Sequence, residues 1–458
     1  FIVTSNNHKA AEMYIGALKY SIEIDGSSTN TLSVPTGETI IDVKVNNLNP
    51  VDTYYKLLYL NNSNLTVEYF DTAYDLDDSN NVTKSYDIPN DSVTSSNSKT
   101  IKLQITNNGT SSQNLSLSVK GGYITNTLSD IATPSNYSEI ASINTKASTY
   151  FCKTNDTLTQ GLQYVNGQYT YAYKQEGYYA SSGLDWSNIN NNSWGIQLTD
   201  KTSTNAVISK VCTYINNKPI TSMSYMFQYS QATSIDLSSF NTSKVSNMES
   251  MFSNTQLTSL DLGGFDTNKV TNMYSMFNGS QATTLDLSSF DTSNVTDMRW
   301  MFSRSQATTI DVSSFDTSKV TSMYNMFSYS QATTLDLSNF NTSNVNDMSY
   351  MFSYSQTITL DVSSFDTSKV TNMANMFYAS KVTTLDLSSF NTSNVTSMYY
   401  MFARIEDITL NLSSFDTSNV KNMSGMFFYS KVVTLDLSNF NTSNVTDMSS
   451  MFFSSQAT

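Results

Sequence analysis

The second half of the chain repeats the same 25 residues, and this repetition constrains the possible folds more than any other feature. The dipeptide Met-Phe occurs ten times, from Met226 to Met451, and every step is 25 residues without insertion or deletion. A segment this short cannot bury its apolar residues alone, so its copies must stack on one another. We therefore predict a solenoid of about ten turns over residues 221–458.

Each repeat combines two apolar spacings. In Leu285–Leu287 the apolar residues are two apart, the spacing of a β-strand, and Asp286 between them faces the other way. From Val295 to Phe302 the apolar residues fall at i, i+3, i+6 and i+7, one face of a helix, and Ser293 is a suitable N-cap. These spacings predict a leucine-rich-type solenoid with one short strand and one short helix per turn, and with the Met and Phe residues in its core.

The residues before the repeats predict two further domains, so the expected fold class is multidomain. Residues 1–135 contain short alternating or apolar segments between clusters of Asn, Ser, Gly and Asp, which indicates an all-β sandwich or jelly roll. The predicted strands are residues 17–24, 39–45, 54–60, 65–70, 100–105 and 115–119. Residues 136–220 contain both cysteines and a hairpin signal at Asn166-Gly167, and we expect a small α+β module that caps the solenoid.

The charge and residue usage argue against several classes of function. With 38 acidic and 24 basic residues the net charge is −14, and binding to phosphate backbones needs clustered Lys and Arg, so no nucleic-acid partner is expected. No run approaches the roughly 18 apolar residues of a spanning helix, so no membrane insertion is expected. The one histidine, His8, and the lack of Gly-rich phosphate loops predict no enzyme activity, no catalytic residue and no cofactor.

The two cysteines and the two chain ends bear on the compartment. Cys152 and Cys212 are 60 residues apart and fit no zinc or redox motif, so we predict a disulfide, with two buried thiols as the alternative. A disulfide would indicate an oxidising compartment. Because Phe1 is not an initiator residue, we expect a mature secreted product, although a fragment would look the same. The repeats stop at Thr458 without a polar cap, and we expect the natural chain to continue.

The repeat motif also carries a family resemblance. The pattern L-D-L-S-S-F-D-T-S-N-V-T-x-M-x-x-M-F, over residues 223–458, resembles the BspA-like leucine-rich repeat surface proteins, in the 25-residue form abundant in Mycoplasma, lactobacilli and gut Firmicutes. The resemblance implies a secreted or cell-surface protein that takes part in adhesion and in contact with a host or a microbial community. Family members often have Gly-Cys after Met-Phe, and this chain has no such column of cysteines.

A shorter resemblance lies at the N-terminus. Ser5-Asn6-Asn7 and the segment Ile15–Leu18 are similar to the start of mature camelysin and TasA, the biofilm-matrix proteins of Firmicutes. This resemblance implies fibres in which an N-terminal strand of one subunit completes the sheet of the next. The apolar candidates for that assembly strand are Phe1, Ile2 and Val3, and a frayed or self-paired terminus is the alternative.

One acidic column runs along the repeats at the same strand position. Its members are Asp236, Asp261, Asp286, Asp311, Asp336, Asp361, Asp386 and Asp436. Stacked strands would place these carboxylates about 5 Å apart, where like charges repel, so calcium is one candidate for their neutralisation. Ordered water with Ser and Thr hydroxyls is the alternative, because no known calcium-loop motif is present. A second column, which starts at Asn241 and exchanges Asn with Asp, predicts side-chain caps on a turn.

Variable positions beside each Met-Phe are the candidates for ligand recognition, because Tyr, Trp and Arg are typical binding residues. The ligand-face candidates are Tyr229, Trp300, Arg304, Tyr329, Tyr350, Tyr354, Tyr400 and Tyr429. Random drift at exposed positions is the alternative explanation. Two functions follow as hypotheses. The first is a secreted cell-surface or extracellular-matrix structural protein that self-assembles through its N-terminal β-domain and displays the solenoid. The second is a monomeric, anchored adhesin whose solenoid binds a host or bacterial ligand.

Overall fold

The computed structural model of the chain is all-β, with no α-helix in the residues that it describes. The described residues are 2–4, 10–12, 17–77, 81–87, 97–123, 129, 131–143, 149–153, 162–166, 169–176, 179–180, 183–184, 190–198, 201–205, 207–208, 211–406 and 408–456. The chain divides into two compact units. The N-terminal unit comprises Phe1–Thr154 and Cys212–Lys218, and the repeat-containing unit comprises Asn155–Val211 and Pro219–Thr458.

The strands of the first 152 residues are numbered in chain order. They are β1 Ile2–Thr4, β2 Ala10–Glu12, β3 Tyr20–Ile24, β4 Thr31–Val34, β5 Gly37–Asn47, β6 Thr53–Leu60, β7 Leu65–Tyr69, β8 Thr72–Leu76, β9 Val82–Asp87, β10 Ser98–Asn107, β11 Gln113–Tyr123, β12 Tyr137–Glu139, β13 Ala141–Ser142 and β14 Tyr150–Cys152.

The later strands are shorter on average. They are β15 Leu162–Asn166, β16 Tyr169–Glu176, β17 Tyr179–Ala180, β18 Gly183–Leu184, β19 Asn190–Leu198, β20 Val207–Ile208, β21 Tyr214–Ile215, β22 Lys218–Ser222, β23 Ile235–Asp236, β24 Thr284–Asp286, β25 Thr309–Asp311, β26 Thr334–Leu335 and β27 Thr359–Leu360.

Two sheets of the N-terminal unit share one apolar core. One sheet has the strand order β13–β7–β10–β5–β3 and the other has the order β12–β6–β11–β4. Alternate residues of each strand point inward, so that Val43 and Leu103 from the first sheet and Leu57 and Leu117 from the second lie in the same buried cluster. The six strands predicted from sequence in this region are confirmed, as β3, β5, β6, β7, β10 and β11.

Strands β8 and β9 were not predicted, and their polar residues explain why. In the N-terminal unit β8 pairs with β9 on one side and in parallel with β14 on the other, and β14 pairs in parallel with β21. Phe70, Phe151 and Tyr214 form a second, aromatic core here. Asp75 of β8 is buried beside it, and a buried carboxylate is a residue that hydrophobic patterning reads as exposed.

The α+β module expected over residues 136–220 is not present, because the described part of this region contains strands. β15 pairs antiparallel with β16, with Asn166 opposite Tyr169, and β16 pairs antiparallel with β19. β19 then pairs in parallel with β22, where Trp194 lies opposite Ile220. The expectation of a helix in this module was wrong.

The prediction of one helix per repeat is also wrong, and the backbone gives the reason. Each repeat places two residues four apart in the left-handed region, for example Trp300 with φ 62° and Arg304 with φ 58°. A left-handed residue interrupts a right-handed helix. The N–H groups therefore alternate between two partners: that of Met301 bonds within its turn to the carbonyl of Met298 at 3.2 Å, and that of Phe302 bonds to the carbonyl of Met326 in the next repeat at 2.9 Å.

The core of the repeats is a stack of identical apolar residues, as predicted. The Met and Phe residues of the inner repeats are fully buried. The Phe of each Met-Phe stacks on its equivalent in the next repeat, from Phe227 to Phe452, with ring centroids 5.3–5.9 Å apart and planes within 15°. The short strands β24 to β27 also pair in parallel, with Leu285 opposite Ile310. The repeats therefore form a helix-free solenoid of stacked coils.

Candidate ligand-binding face of the repeats

The left-handed residues form two columns along the repeats, and these columns contain all eight ligand-face candidates. The first column is the residue before each Met-Phe, and the second is the residue four positions later. Trp300, Tyr350 and Tyr400 belong to the first column and are half-buried. In the second column Tyr354 is half-buried, whereas Tyr229, Arg304, Tyr329 and Tyr429 are exposed, and Tyr229 has 59% of its surface free. We call these two columns and the aromatic residues that contact them the aromatic face.

The second column is held together by contacts between repeats. The guanidinium of Arg304 lies 5.5 Å from the ring centroid of Tyr329. Tyr329 stacks on Tyr354 with a centroid distance of 4.3 Å and an interplanar angle of 15°. Tyr354 then meets Tyr378 edge-on at 5.1 Å. Burial, together with Tyr354, raises the pKa of Tyr378 to about 12, so its hydroxyl stays protonated and able to donate at neutral pH.

The aromatic residues of the first column also contact residues of neighbouring repeats. Trp300 meets Tyr324 edge-on at 5.6 Å, and Tyr324 meets Tyr350 in the same way at 5.8 Å. Tyr400 lies against Gly425 of the next repeat, where a Cβ atom would come within 2.3 Å of the Tyr400 ring. A glycine at this point of the column therefore allows the Tyr400 ring to lie over the neighbouring backbone.

The face begins with a groove of about 680 Å³ over the first four repeats. Its aromatic walls include Tyr225, Tyr274 and Trp300. Glu249 accepts hydrogen bonds from the hydroxyl of Tyr225 and, at 3.3 Å, from the amide of Asn272. Burial, and then the bond to Glu249, raise the pKa of Tyr225 well above its ordinary value, so it remains a donor.

An arginine occupies the other end of the groove. Arg299 donates two hydrogen bonds to Asp297, at 3.0 Å from Nε and at 2.6 Å from an Nη atom. Its guanidinium lies 5.3 Å from the ring centroid of Tyr274. The groove thus presents flat aromatic surfaces beside oriented amide, carboxylate and guanidinium groups.

Several residues of this face were not found from the sequence. They are Tyr274, Arg299, Tyr324, Tyr378 and Phe428. They lie two residues before a Met-Phe dipeptide, like Tyr324, or directly after it, like Tyr378. The expected helix would have pointed these neighbours away from the candidate columns, whereas the alternating backbone brings them onto the same face. The available signal was the aromatic character of those adjacent variable positions.

The acidic column serves the turns that follow the short strands. Asp286 accepts bonds from the backbone N–H of Ser288 at 3.1 Å and from its hydroxyl at 2.6 Å, and these bonds lower the pKa of Asp286. The same arrangement recurs along the column, which is exposed except at the half-buried Asp311. The pKa is lowered for Asp236, Asp286, Asp336, Asp361, Asp386 and Asp436. Within the described residues, no three His, Cys, Asp or Glu side chains are grouped to hold a metal ion.

Two further polar columns cap turns. The column that starts at Asn241 accepts the N–H of the residue two positions later in every repeat, so its predicted capping role is confirmed. A third column, which starts at Asn247 and includes Asp297 and Ser322, caps the turn before each Met-Phe in the same way. The sequence analysis overlooked it, although each member is Asn, Asp or Ser.

The remaining candidates lie in the N-terminal unit. Cys152 and Cys212 form a disulfide with a Cα–Cα distance of 5.9 Å. Ile2 and Val3 belong to β1, which pairs antiparallel with β2 as a two-stranded sheet. Phe1 and His8 lie outside the described residues, as do the side chains of Ile2 and Val3.

The geometry alone defines the class of protein. The repeats are a helix-free solenoid of 25-residue coils that displays an aromatic face. The described residues contain no helix with the length and hydropathy of a membrane span.

Comparison with known families places the chain more narrowly. Three overlapping segments, residues 197–310, 274–384 and 353–458, match the family described as Mycoplasma protein of unknown function, DUF285. Together the matches cover more than half of the chain, which therefore belongs to this family. No curated protein and no solved structure matches the chain.

Proposed function

We propose that this chain is a secreted bacterial surface protein that binds an extracellular, neutral polysaccharide on its aromatic face and performs no chemistry on it. One observation carries the proposal: Trp300, Arg304 and Tyr329, like the rest of both columns, occupy left-handed backbone positions. Such a conformation costs a non-glycine residue roughly 1–2 kcal/mol. Gly279 and Gly425 occupy the same columns, so glycine fits there without this cost. Large aromatic side chains at strained surface positions are typical of recognition sites.

The chemistry of the face favours a neutral sugar chain as the ligand. The apolar faces of sugar rings pack on flat aromatic side chains, and their hydroxyls pair with amides and carboxylates such as Asn272 and Glu249. The net charge of −14 disfavours polyanions. The two columns extend over all ten repeats, which suits an extended polymer that makes many weak contacts.

Two features support a location outside the cell. The Cys152–Cys212 disulfide is typical of an oxidising compartment. The resemblance of the repeats to BspA-like surface proteins implies the same location.

A rigid, repetitive scaffold also reduces the entropy cost of binding, because its side chains are already ordered.

The test is binding of the full chain to a glycan array, followed by titration with the strongest neutral glycan. The double substitution Tyr329→Ser, Tyr354→Ser removes the closest stacked pair of the face. We expect the affinity to fall at least tenfold, since a central aromatic residue contributes about 2 kcal/mol.

The matched control is Ile358→Ser, which removes an exposed apolar side chain next to β27 that belongs to neither column. It should leave the affinity unchanged. Absence of any glycan binding by the full chain, or equal loss in both variants, would contradict the proposal.

A second candidate function is a matrix subunit that polymerises through its N-terminus and displays the repeats. In the structure β1 pairs with β2 of its own chain, which is the self-paired arrangement, and the observation that still supports assembly is that this two-stranded sheet is separate from the other described sheets. Such a pair can accept strands from another copy at its edges. Electron microscopy of the full chain beside a version without residues 1–5 tests it: fibres from the full chain alone would support this function, and single particles from both would rule it out.

A further inference from the structure

A fully buried lysine lies in the N-terminal unit, far in sequence from the repeats. Lys102 of β10 is directly opposite Asp42 of β5 in the antiparallel register. The Lys102 side chain is 0% exposed, and its Nζ atom lies 2.5 Å from Oδ1 of Asp42. A charged lysine without access to water is costly, because transfer from water into the interior penalises the ammonium group by several kcal/mol.

A second carboxylate and two aromatic rings complete the cluster. Nζ of Lys102 lies 3.4 Å from Oδ1 of Asp75, which accepts no hydrogen bond there. The hydroxyl of Tyr86 lies within hydrogen-bond distance of Oδ2 of Asp42, at 2.9 Å, and of Oδ2 of Asp75, at 2.8 Å, and it can donate its single proton to one of them at a time. The rings of Phe151 and Tyr86 cover Nζ, with centroids at 4.3 and 4.5 Å.

Two other lysines reach the cluster from its solvent-exposed side. One is Lys84, which lies 3.9 Å from Oδ2 of Asp42 and has 39% of its side chain exposed. Lys153 approaches Asp42 at 3.3 Å and Asp75 at 3.5 Å, but 58% of its side chain is exposed. Burial raises the pKa of Asp42, and Lys102 and Lys153 more than offset this, so the pKa is lowered overall. Asp42 is therefore a carboxylate in contact with Nζ of Lys102, and although 13% of the Asp42 side chain is exposed, the Lys102 side chain has no access to water.

We propose that Lys102 and Asp42 condense into an intramolecular isopeptide bond, with Asp75 as the proton carrier and Tyr86 as the hydrogen-bond donor to the reacting carboxyl. The Lys102 amine and the Asp42 carboxyl are held in contact, and well-oriented groups of this kind react as if at a very high effective concentration. The carboxyl therefore needs no prior chemical activation. Burial disfavours both charged forms, and this lowers the cost of the proton transfer that the reaction needs.

The step balances without any co-reactant. A proton moves from the Lys102 ammonium to a carboxylate, and the neutral Nζ attacks Cγ of Asp42. The new C–N bond forms, one C–O bond of Asp42 breaks, and that oxygen leaves as water with two of the three ammonium protons. Asp75 takes up one of these protons and returns it, so it ends unchanged. The product is a neutral amide that links β5 to β10 and removes two buried charges.

The test is the intact mass of the purified full chain after reduction of its disulfide. The bond predicts a mass one water molecule below that of the sequence, and peptide mapping should find the Lys102 peptide joined to the Asp42 peptide. Lys102→Arg and Asp42→Ala should each restore the full mass. Asp75→Asn keeps both reacting groups and should leave most chains unlinked, because a general acid–base contributes about 10²–10⁴-fold to the rate.

The control is Lys153→Met, which changes an exposed lysine of the same cluster and should keep the loss of water. A wild-type chain with the full sequence mass would overturn the proposal and leave a buried ion pair. If the Lys102→Arg variant still had a mass one water molecule below that of its sequence, this would overturn the proposal as well, because the link would then involve another residue.

Discussion

The two units of this chain achieve burial in opposite ways. In the N-terminal unit the paired strands are distant in sequence, as with β5 and β10, and each core contact occurs once. In the repeats the contacts between neighbouring coils join residues about 25 positions apart and recur along the stack. We therefore expect a destabilising substitution in the N-terminal unit to lower the stability of that whole unit. In the repeats the loss of stability should be confined to the coils around the substitution, and its size should depend on the position of the substituted coil in the stack.

The largest expected effect tests position in the stack. Phe327 is fully buried between Phe302 and Phe352, at centroid distances of 5.3 and 5.8 Å. Phe327→Ala should lower the free energy of unfolding of the repeats by about 4 kcal/mol, because it removes a core aromatic and leaves a cavity.

Phe452, 48% exposed at the last coil, is the matched control. Phe452→Ala should cost about 1 kcal/mol, since about half of the lost surface was already in water. Urea unfolding followed by tryptophan fluorescence and hydrogen exchange measures both. Equal losses would show that the repeats unfold as a single cooperative block, and the contrast between the units would fail.

The second effect concerns the N-terminal unit. The Cys152–Cys212 disulfide closes a loop of 60 residues, and its reduction should lower the free energy of unfolding by roughly 3 kcal/mol, through the entropy of the unfolded chain. Urea unfolding with and without reductant gives the value, and the double variant Cys152→Ser, Cys212→Ser removes the response to reductant. If reduction shifted neither the N-terminal nor the repeat transition, the prediction would be contradicted.

The sequence correctly predicted those parts of the fold in which apolar residues are buried and polar residues are exposed. Strict apolar alternation predicted β5 and β10, and the exact period predicted the stacked Met and Phe core. The helix was mispredicted because apolar residues three and four apart also face one side in a chain of alternating turns. Only the φ angles at positions such as Trp300 separate these two backbones, and an aromatic residue gives no sequence signal for a left-handed conformation.

The Lys102 cluster shows the same limit in the N-terminal unit. Lys102, Asp42 and Asp75 come from three strands that are far apart in sequence. Each is a charged residue that patterning assigns to solvent, so their burial together depends on strand register, which no local pattern predicts. The ligand face was found in part, since Tyr and Arg at variable positions were visible, whereas the contacts to Tyr324 and Tyr378 depend on the backbone.

The third effect tests the strain in the columns. Ser275 has φ 54° and Ser328, also buried, is not among the left-handed residues. Ser275→Gly should raise the free energy of unfolding by about 1 kcal/mol, because glycine relieves the left-handed strain. Ser328→Gly should lower it by roughly 0.5–1 kcal/mol, because there the added freedom only stabilises the unfolded chain. Changes of the same sign in both variants, measured by urea unfolding, would contradict the proposed strain.

The smallest expected effect is a difference between the two units in how their stability depends on pH. Hydrogen bonds from Ser hydroxyl and N–H groups lower the pKa of Asp286, Asp291, Asp316 and Asp366 below the ordinary value of 3.8. A carboxyl whose pKa is lower in the folded state stabilises the fold above its unfolded pKa, and this contribution is lost as pH falls through the folded value. The midpoint of thermal unfolding of the repeats should therefore be constant above about pH 5 and decline below pH 4. Asp291→Asn keeps the acceptor oxygen, as Asn341 does in the same column, and should reduce this acid-dependent decline without changing the midpoint at neutral pH. An unchanged decline when several such positions are substituted would show that the acid sensitivity belongs to the N-terminal unit, where Asp42 also has a lowered pKa.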